Sequence, residues 1–595
     1  MSQRYDDCEH NVLTAYFLQH NFLPYCTLAL KDYKNLSEAC PLLISFISKF
    51  AIFEEWVSCG ADKILQFLIL NKSFDECKLE QYLITSSEKG FLKNIKLFNE
   101  HYQHIINEHK LRLFRNSCEN GHLHVAQWLH DTFNLTEDDA RTDNNYAFRN
   151  SCIGGHLQVA QWLHKTFNLT NNDVRTDNNF AFRNCCANGH LQIAQWIYDT
   201  FNLTKSDISA NNNFAFCSSC VYGQLQVVQW LYAMFEPTEI NIKNINDAFL
   251  QSCEYGHLQV AQWLHEKFNF TSEVAKGNNN YALRRCCEHG HLNMVRWLCT
   301  TFNLTRYDAI ADDNYAFYYS CINNHLHVAQ WLYETFNLKK DCVRTNNNHV
   351  FNYSCTHGNL QLAQWLYKIG DLTRYDVIVN NNHVFGNSCA NGHLQVAQWI
   401  RDTFNLTEDE ARVNNNYAFL YSCTNNHLQI AQWLYKTFNL TQDDARSNNN
   451  YAFYASCVRG HLQVIQWLHE TFNFKKDDME ADINSTFRVC CARGHFYVAR
   501  WIHKMFNISR DEVLADDNLV LYCCCTDNNL HLAWWLHKTF KFTESEVKVN
   551  DNYIFQRCCE LGHLQIAQWL YRTFNMTEAD AIVIDNLIFR NNVIN

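Results

Sequence analysis

Fourteen tryptophans, from Trp128 to Trp569, recur every 34 residues, with a single step of 33 between Trp230 and Trp263. A fixed period of this length means that one supersecondary unit is stacked many times, each copy burying the open face of its neighbour. Ten residues before each tryptophan stands a cysteine, from Cys118 to Cys559, and four residues before that a Phe, or Leu at Leu283 and Leu521. The short step contains Pro237, the only proline after residue 41.

One repeat, Asn144 to Asn168, reads NNYAFRNSCIGGHLQVAQWLHKTFN. Phe148, Ser151 and Cys152 fall at helical spacing, and so do Leu157, Ala160, Leu163 and Phe167, which predicts two short helices with one apolar face each. The residue at Gly155 between them is Gly in eleven repeats and Asn in three (Asn324, Asn426, Asn528). These are the two residues that end a helix in the left-handed conformation. In the connector, Thr136-Glu137-Asp138-Asp139 and Thr407-Glu408-Asp409-Glu410 place an N-cap hydroxyl three residues before an acid, with similar patterns at Thr170, Thr305, Thr373, Thr441 and Thr577. This predicts a third, very short helix, followed by an Asn-rich stretch that opens the next repeat.

The segment GHLQVAQWL, as at Gly155 to Leu163, resembles the Gly-His-x-x-Val-Val-x-x-Leu helix of ankyrin repeats, and YAFRNSC lies where they carry Thr-Pro-Leu-His-x-Ala-Ala. The tetratricopeptide pattern fits less well, because it requires a Gly four residues after the tryptophan and a closing proline. The resemblance covers residues from about 85 to the end. It implies an all-α, ankyrin-like helical-repeat solenoid with a period of 34 residues. The Thr-Pro-Leu-His tetrapeptide is nowhere intact, so β-hairpin fingers are expected to be reduced or absent. The AQWL, TFNLT and NNNYAF blocks look like the ankyrin-repeat sets encoded by giant DNA viruses of amoebae. Residues 1–84 are expected to form an N-terminal helical capping segment. Residues 85–595 form the array: one degenerate repeat with Ser87, Gly90 and Leu97 in the framework places, fourteen regular repeats, and a terminal half repeat at Phe589.

A net charge of −12 supplies no basic stripe for phosphate neutralisation, which argues against nucleic acid. The polar start Met1 to Asp7 has no apolar region behind it, and the apolar run Cys40 to Phe53 is too short to span a bilayer and carries Lys49. The 28 cysteines are therefore read as reduced thiols of a cytoplasmic chain (the host cytoplasm, if the protein is viral), neither secreted nor membrane-bound and monomeric.

The Cys-x-x-x-His pairs, such as Cys152/His156 and Cys389/His393, suggest metal ligation at first sight. The cysteine recurs in every regular repeat, as a small hydrophobe between helices would, while the histidine gives way to Gln224, Asn359 and Asn529. One Cys and one His per layer do not supply four convergent ligands, so no metal and no cofactor is expected. Asn-Leu-Thr at Asn134, Asn168, Asn202, Asn303, Asn405 and Asn439 matches a glycosylation acceptor, yet its Thr is better read as a helix cap. The tryptophan stripe is read as core, and no catalytic motif stands out.

Function is expected where the repeats differ, on the first helix around the cysteine. Arg149, Arg183, Arg284 and Arg285 stand there in early repeats, with Arg115 before them and Arg488, Arg493 and Arg557 later. Tyr318, Tyr319, Tyr353, Tyr421 and Tyr454 cluster between the two groups. Tyr and Arg are enriched at binding hot spots. The leading reading is a non-enzymatic protein–protein interaction scaffold, a viral factor binding host proteins. The alternatives are a substrate adaptor of a ubiquitin ligase, with the N-terminal segment as ligase-binding part, and a metal-binding or redox protein acting through its Cys and His positions.

Overall fold

In each repeat the chain runs through a connector turn, a first helix and a second helix, and the apolar residues of both helices close on the next repeat. The computed structural model describes residues 79–234, 242–476 and 483–576, and among these no strand occurs. The chain divides into two compact halves, Met1–Leu304 and Thr305–Asn595. Within each half the architecture is the expected all-α, ankyrin-like helical repeat. The first described helix, Leu79–Glu88, straddles the boundary expected at residue 85, and most of the expected capping segment and the terminal half repeat lie outside the described residues.

The framework positions explain the stacking. Phe148 and Cys152 on the first helix, and Val159, Ala160 and Leu163 on the second helix Leu157–Thr166, are all buried. The residue before each framework cysteine is Ser or Cys in all fourteen repeats. Ser388 Oγ donates to Cys355 O at 3.1 Å, and Cys490 Sγ donates to Cys457 O at 3.1 Å, each reaching back one repeat. A small side chain that carries a donor is what the position requires, so hydroxyl and thiol interchange. The helix pair turns at Gly155, which has φ +85°, with His156 N donating to Ser151 O at 2.9 Å.

The tryptophans are not fully enclosed. All fourteen are half-buried at the seams between layers, because each indole is too large for the inner face and lies across the repeat boundary. Trp196 is edge-on to Phe201 at 5.8 Å and contacts His164 of the preceding repeat at 6.0 Å, while Phe148 of that repeat lies 6.3 Å from it. Edge-to-face packing of this kind adds about 0.5–1.5 kcal/mol per pair beyond area burial. The stripe thus stitches layers together instead of filling the core.

The connector helix forms as expected. At Thr136 the capping box is closed both ways: Asp139 N donates to Thr136 Oγ1 at 3.3 Å, and Thr136 N donates to Asp139 Oδ2 at 2.8 Å. The Asn-rich stretch that follows does something that helical spacing does not reveal. Asp143, Asn144 and Asn145 all have φ between 52° and 61°, three consecutive left-handed residues. The same holds at 177–179, 211–213, 278–280, 312–314, 346–348, 414–416 and 448–450. Among residues with a side chain, Asn and Asp enter this region most readily, which accounts for an Asn/Asp triplet at these positions.

The third residue of the triplet turns inward. Asn145 is buried, and its Nδ2 donates to Asp173 O in the next connector at 3.1 Å. Asn179, Asn382, Asn416 and Asn518 make the same bond 28 residues downstream. The Asn-Leu-Thr blocks are explained in the same terms: Asn134 is the left-handed C-cap, Leu135 is buried, and Thr136 opens the next helix.

Candidate functional site

The residues expected to meet a partner separate into two groups once their surroundings are known. The arginines of the first half are held by the protein itself. Arg183 is buried, donating from Nε to Asn178 O at 2.6 Å and from a terminal nitrogen to Asp177 O at 2.9 Å, with its guanidinium 4.9 Å from the Phe214 ring. Arg149 donates to Asp143 O at 3.2 Å and lies 4.8 Å from the Phe180 ring. Arg284 donates to Asn278 O at 3.1 Å. In all three the guanidinium clamps carbonyls of a left-handed triplet, which the reversed backbone turns away from any helical acceptor pattern. Arg285 is engaged with Glu254 at 2.7 Å and Glu288 at 2.5 Å.

The tyrosines of the second half are arranged differently: they stack on one another along the first helices and stay half-exposed. Tyr319 lies 4.1 Å from Tyr315 and 5.0 Å from Tyr318. Tyr318 stacks on His349 of the next repeat at 5.7 Å, with its hydroxyl 2.9 Å from His349 Nδ1. His349 contacts Tyr353 at 6.1 Å, and Tyr353 stacks on His357 at 3.7 Å. Two repeats further on, Tyr421 packs 4.4 Å from Tyr417 and 5.9 Å from Tyr451 of the following layer. Burial, and then the neighbouring Tyr319 and Tyr353, push the Tyr318 hydroxyl above its ordinary pKa, so it stays neutral.

Charge is sparse in this stripe. On the first-helix segments Tyr315 to Asn323, His349 to His357, His383 to Asn391, Tyr417 to Asn425 and Tyr451 to Arg459 the only ionisable side chain besides those of Tyr, Cys and His is that of Arg459, at the far end. Amides lie among the rings: the Tyr417 hydroxyl donates to Asn387 Oδ1 at 3.2 Å, and Arg459 donates to Asn425 Oδ1 at 2.7 Å. Sequence spacing missed His349 and His357, which complete the stack; their placement four residues either side of Tyr353 was the available signal.

The Cys and His positions are accounted for by packing. The framework cysteines are buried free thiols, and burial raises their pKa, as at Cys118 and Cys389. His190 Nε2 donates to Ile153 O of the preceding repeat at 2.9 Å, and the same bond recurs at His461 and His495. Asn529, where the histidine is lost, makes it from Nδ2 to Ala492 O at 2.9 Å. The histidine is thus a donor to the preceding repeat, seated over that repeat's left-handed glycine: a Cβ on Gly155 would stand 2.7 Å from His190 Cε1. Among the described residues no three His, Cys, Asp or Glu side chains converge on one point.

The family model for ankyrin repeats (3 copies) matches residues 214–308, the stretch holding the framework cysteines Cys220, Cys253 and Cys287. No curated protein matches the chain. Among the described residues no helix is long and apolar enough to cross a membrane.

Proposed function

We propose that the chain is a non-enzymatic protein–protein interaction scaffold whose partner binds the tyrosine stripe of the second half. The observation that supports this reading is the half-exposed aromatic stack running from Tyr318 and Tyr319 through His349 to Tyr353, and resuming at Tyr421 and Tyr454. Rigid aromatic rings with a polar edge give a partner large contact area at small entropic loss. The arginines Arg149, Arg183, Arg284 and Arg285 are secondary to this site, since their donors hold the connectors and a neighbouring helix. In the fuller reading the protein acts as a cytoplasmic monomer, a viral factor engaging host proteins; this rests on the resemblance of the AQWL, TFNLT and NNNYAF blocks to viral sets.

The test is affinity capture from cell lysate with the full chain and with Tyr318→Ala/Tyr353→Ala/Tyr421→Ala. Proteins held by the parent chain should be lost with the triple variant while its helical circular dichroism is unchanged. An identical captured set would refute the assignment of the stripe.

A further inference from the structure

The second helices carry a surface rule of their own. The residue before the framework tryptophan is Gln in eleven of fourteen repeats, and the residue four before it is Gln in nine. These positions face solvent, as Gln158 and Gln161 do. Three repeats break the rule at both places: one with Asn293 and Arg296, and two consecutive ones further on. Tyr497 and Arg500 replace the pair on the helix Phe496–Phe506, and His531 and Trp534 replace it on the helix Leu530–Phe540. Three residues after the tryptophan, where charge varies along the chain, these two repeats and the next give the run Lys504, Lys538 and Arg572.

The replacements make one exposed surface. Tyr497 is 56% exposed and Trp534 46%, in places where most repeats need only an amide. Lys538 Nζ sits 4.4 Å over the Trp534 ring, and the Arg500 guanidinium lies 5.4 Å from the Phe496 ring. Between the two helices opens a cleft of about 330 Å³ lined by Arg500, Trp501, His503, Lys504, Trp535 and Thr539. The lining holds cationic side chains and two indoles but no carboxylate.

Three acids of the connectors that follow these helices are paired elsewhere: Glu512 with Lys476, Glu546 with Arg510 and Glu544 with Lys548, each at 2.7 Å. Among the described residues no carboxylate pairs with Arg500, Lys504 or Lys538. Like charges gathered without counter-charge repel one another, and the Gln at the same place in other repeats shows that the fold does not require Arg500 or Trp534 there.

We propose that Tyr497, Arg500, Lys504, Trp534 and Lys538 form a docking surface for a short acidic segment of a protein partner. Its carboxylates meet the guanidinium and the two ammonium groups, and an apolar side chain lies against Trp534 and Tyr497. Trp, Tyr and Arg are the residues that dominate protein-binding hot spots, and all three appear at places where most repeats keep Gln. A protein segment fits better than nucleic acid. The basic run ends at the exposed Glu470 of the preceding repeat, so a phosphate backbone has only a short track in a chain of net charge −12. Lys538 also covers one face of Trp534, which removes a base-stacking platform. This surface lies on second helices, apart from the tyrosine stripe on first helices, and stands or falls independently of it.

The experiment is fluorescence anisotropy of the full chain with a dye-labelled oligoglutamate peptide and, in parallel, a dye-labelled single-stranded oligothymidylate. Arg500→Gln/Trp534→Gln returns both positions to the residue the repeat uses elsewhere, and Lys504→Glu reverses one exposed charge as a second variant. The parent chain should bind oligoglutamate, more weakly as salt rises, and each variant should lose at least about tenfold in affinity with an unchanged melting curve. No oligoglutamate binding, binding that both variants retain, or tighter binding of oligothymidylate would overturn the proposal.

Discussion

Arg141 donates from Nε to Oδ1 of Asp173 at 2.9 Å across a repeat boundary, while the other oxygen of Asp173 accepts the N–H of Thr170 at 2.7 Å. One carboxylate therefore caps its own connector helix and ties it to the repeat before. The arrangement recurs at Arg175–Asp207, Arg344–Asp376 and Arg412–Asp444. Arg374–Glu410 and Arg510–Glu546 reach it from a neighbouring position.

Stability should fall in acid because of these acids. Arg175, together with the N–H and hydroxyl of Thr204, holds Asp207 well below its ordinary value of 3.8. Burial opposes ionisation of Glu512, but Lys476, Ser509 and Asn484 outweigh it and lower its pKa to about 2 from 4.5. A carboxylate whose folded pKa is depressed contributes stability above its unfolded pKa and loses it as pH falls through the folded one. Urea midpoints should thus be level near neutrality and decline from around pH 5 toward pH 2. Each solvent-accessible link should contribute less than about 1 kcal/mol. The decline should be shallower in an Asp207→Asn variant, which has already lost its share.

Gly155→Ala should destabilise by about 1–2 kcal/mol in chemical denaturation, because a Cβ is strained at φ +85° and meets His190. Gly155→Asn should cost less, since Asn426 and Asn528 hold the same place at φ 66° and 59°.

His190→Ala removes one of the two side-chain donors to Ile153 O, Asn188 Nδ2 keeping the other at 3.0 Å, and should cost about 0.5–1.5 kcal/mol. His190→Asn should recover most of that, as Asn529 already makes the equivalent bond. Equal losses for the two variants would mean that the ring's packing, not its N–H, is what matters.

Thiol labelling of the native protein, mapped by mass spectrometry over residues 79–576, should reach Cys523 before its neighbours Cys524 and Cys525. Cys523 is half-exposed and the other two are buried, though burial raises all three. Its labelling rate should keep rising with pH beyond the ordinary thiol pKa of about 8.5. Early labelling of a framework cysteine such as Cys389 would contradict the packing described.

The stack, its period and its turn residues were legible in the sequence because they are local or repetitive. Helical spacing of Phe148 and Cys152, the Gly or Asn at Gly155, and the Thr136–Asp139 box each act within a few residues, and fourteen copies show which changes the fold tolerates. Three matters were decided only by tertiary structure. Trp196 lies at a half-open seam because its neighbours His164 and Phe148 come from the preceding repeat, a contact that periodicity cannot express. Asn145 is left-handed and buried because Asp173 O, 28 residues away, needs its amide donor. Arg183 and Tyr318 look alike as hot-spot residues in sequence, yet the first is drawn inward by carbonyls of the reversed triplet and the second stays at the surface on His349. Local order follows from each residue's own conformational limits, whereas exposure depends on what the next layer presents to it.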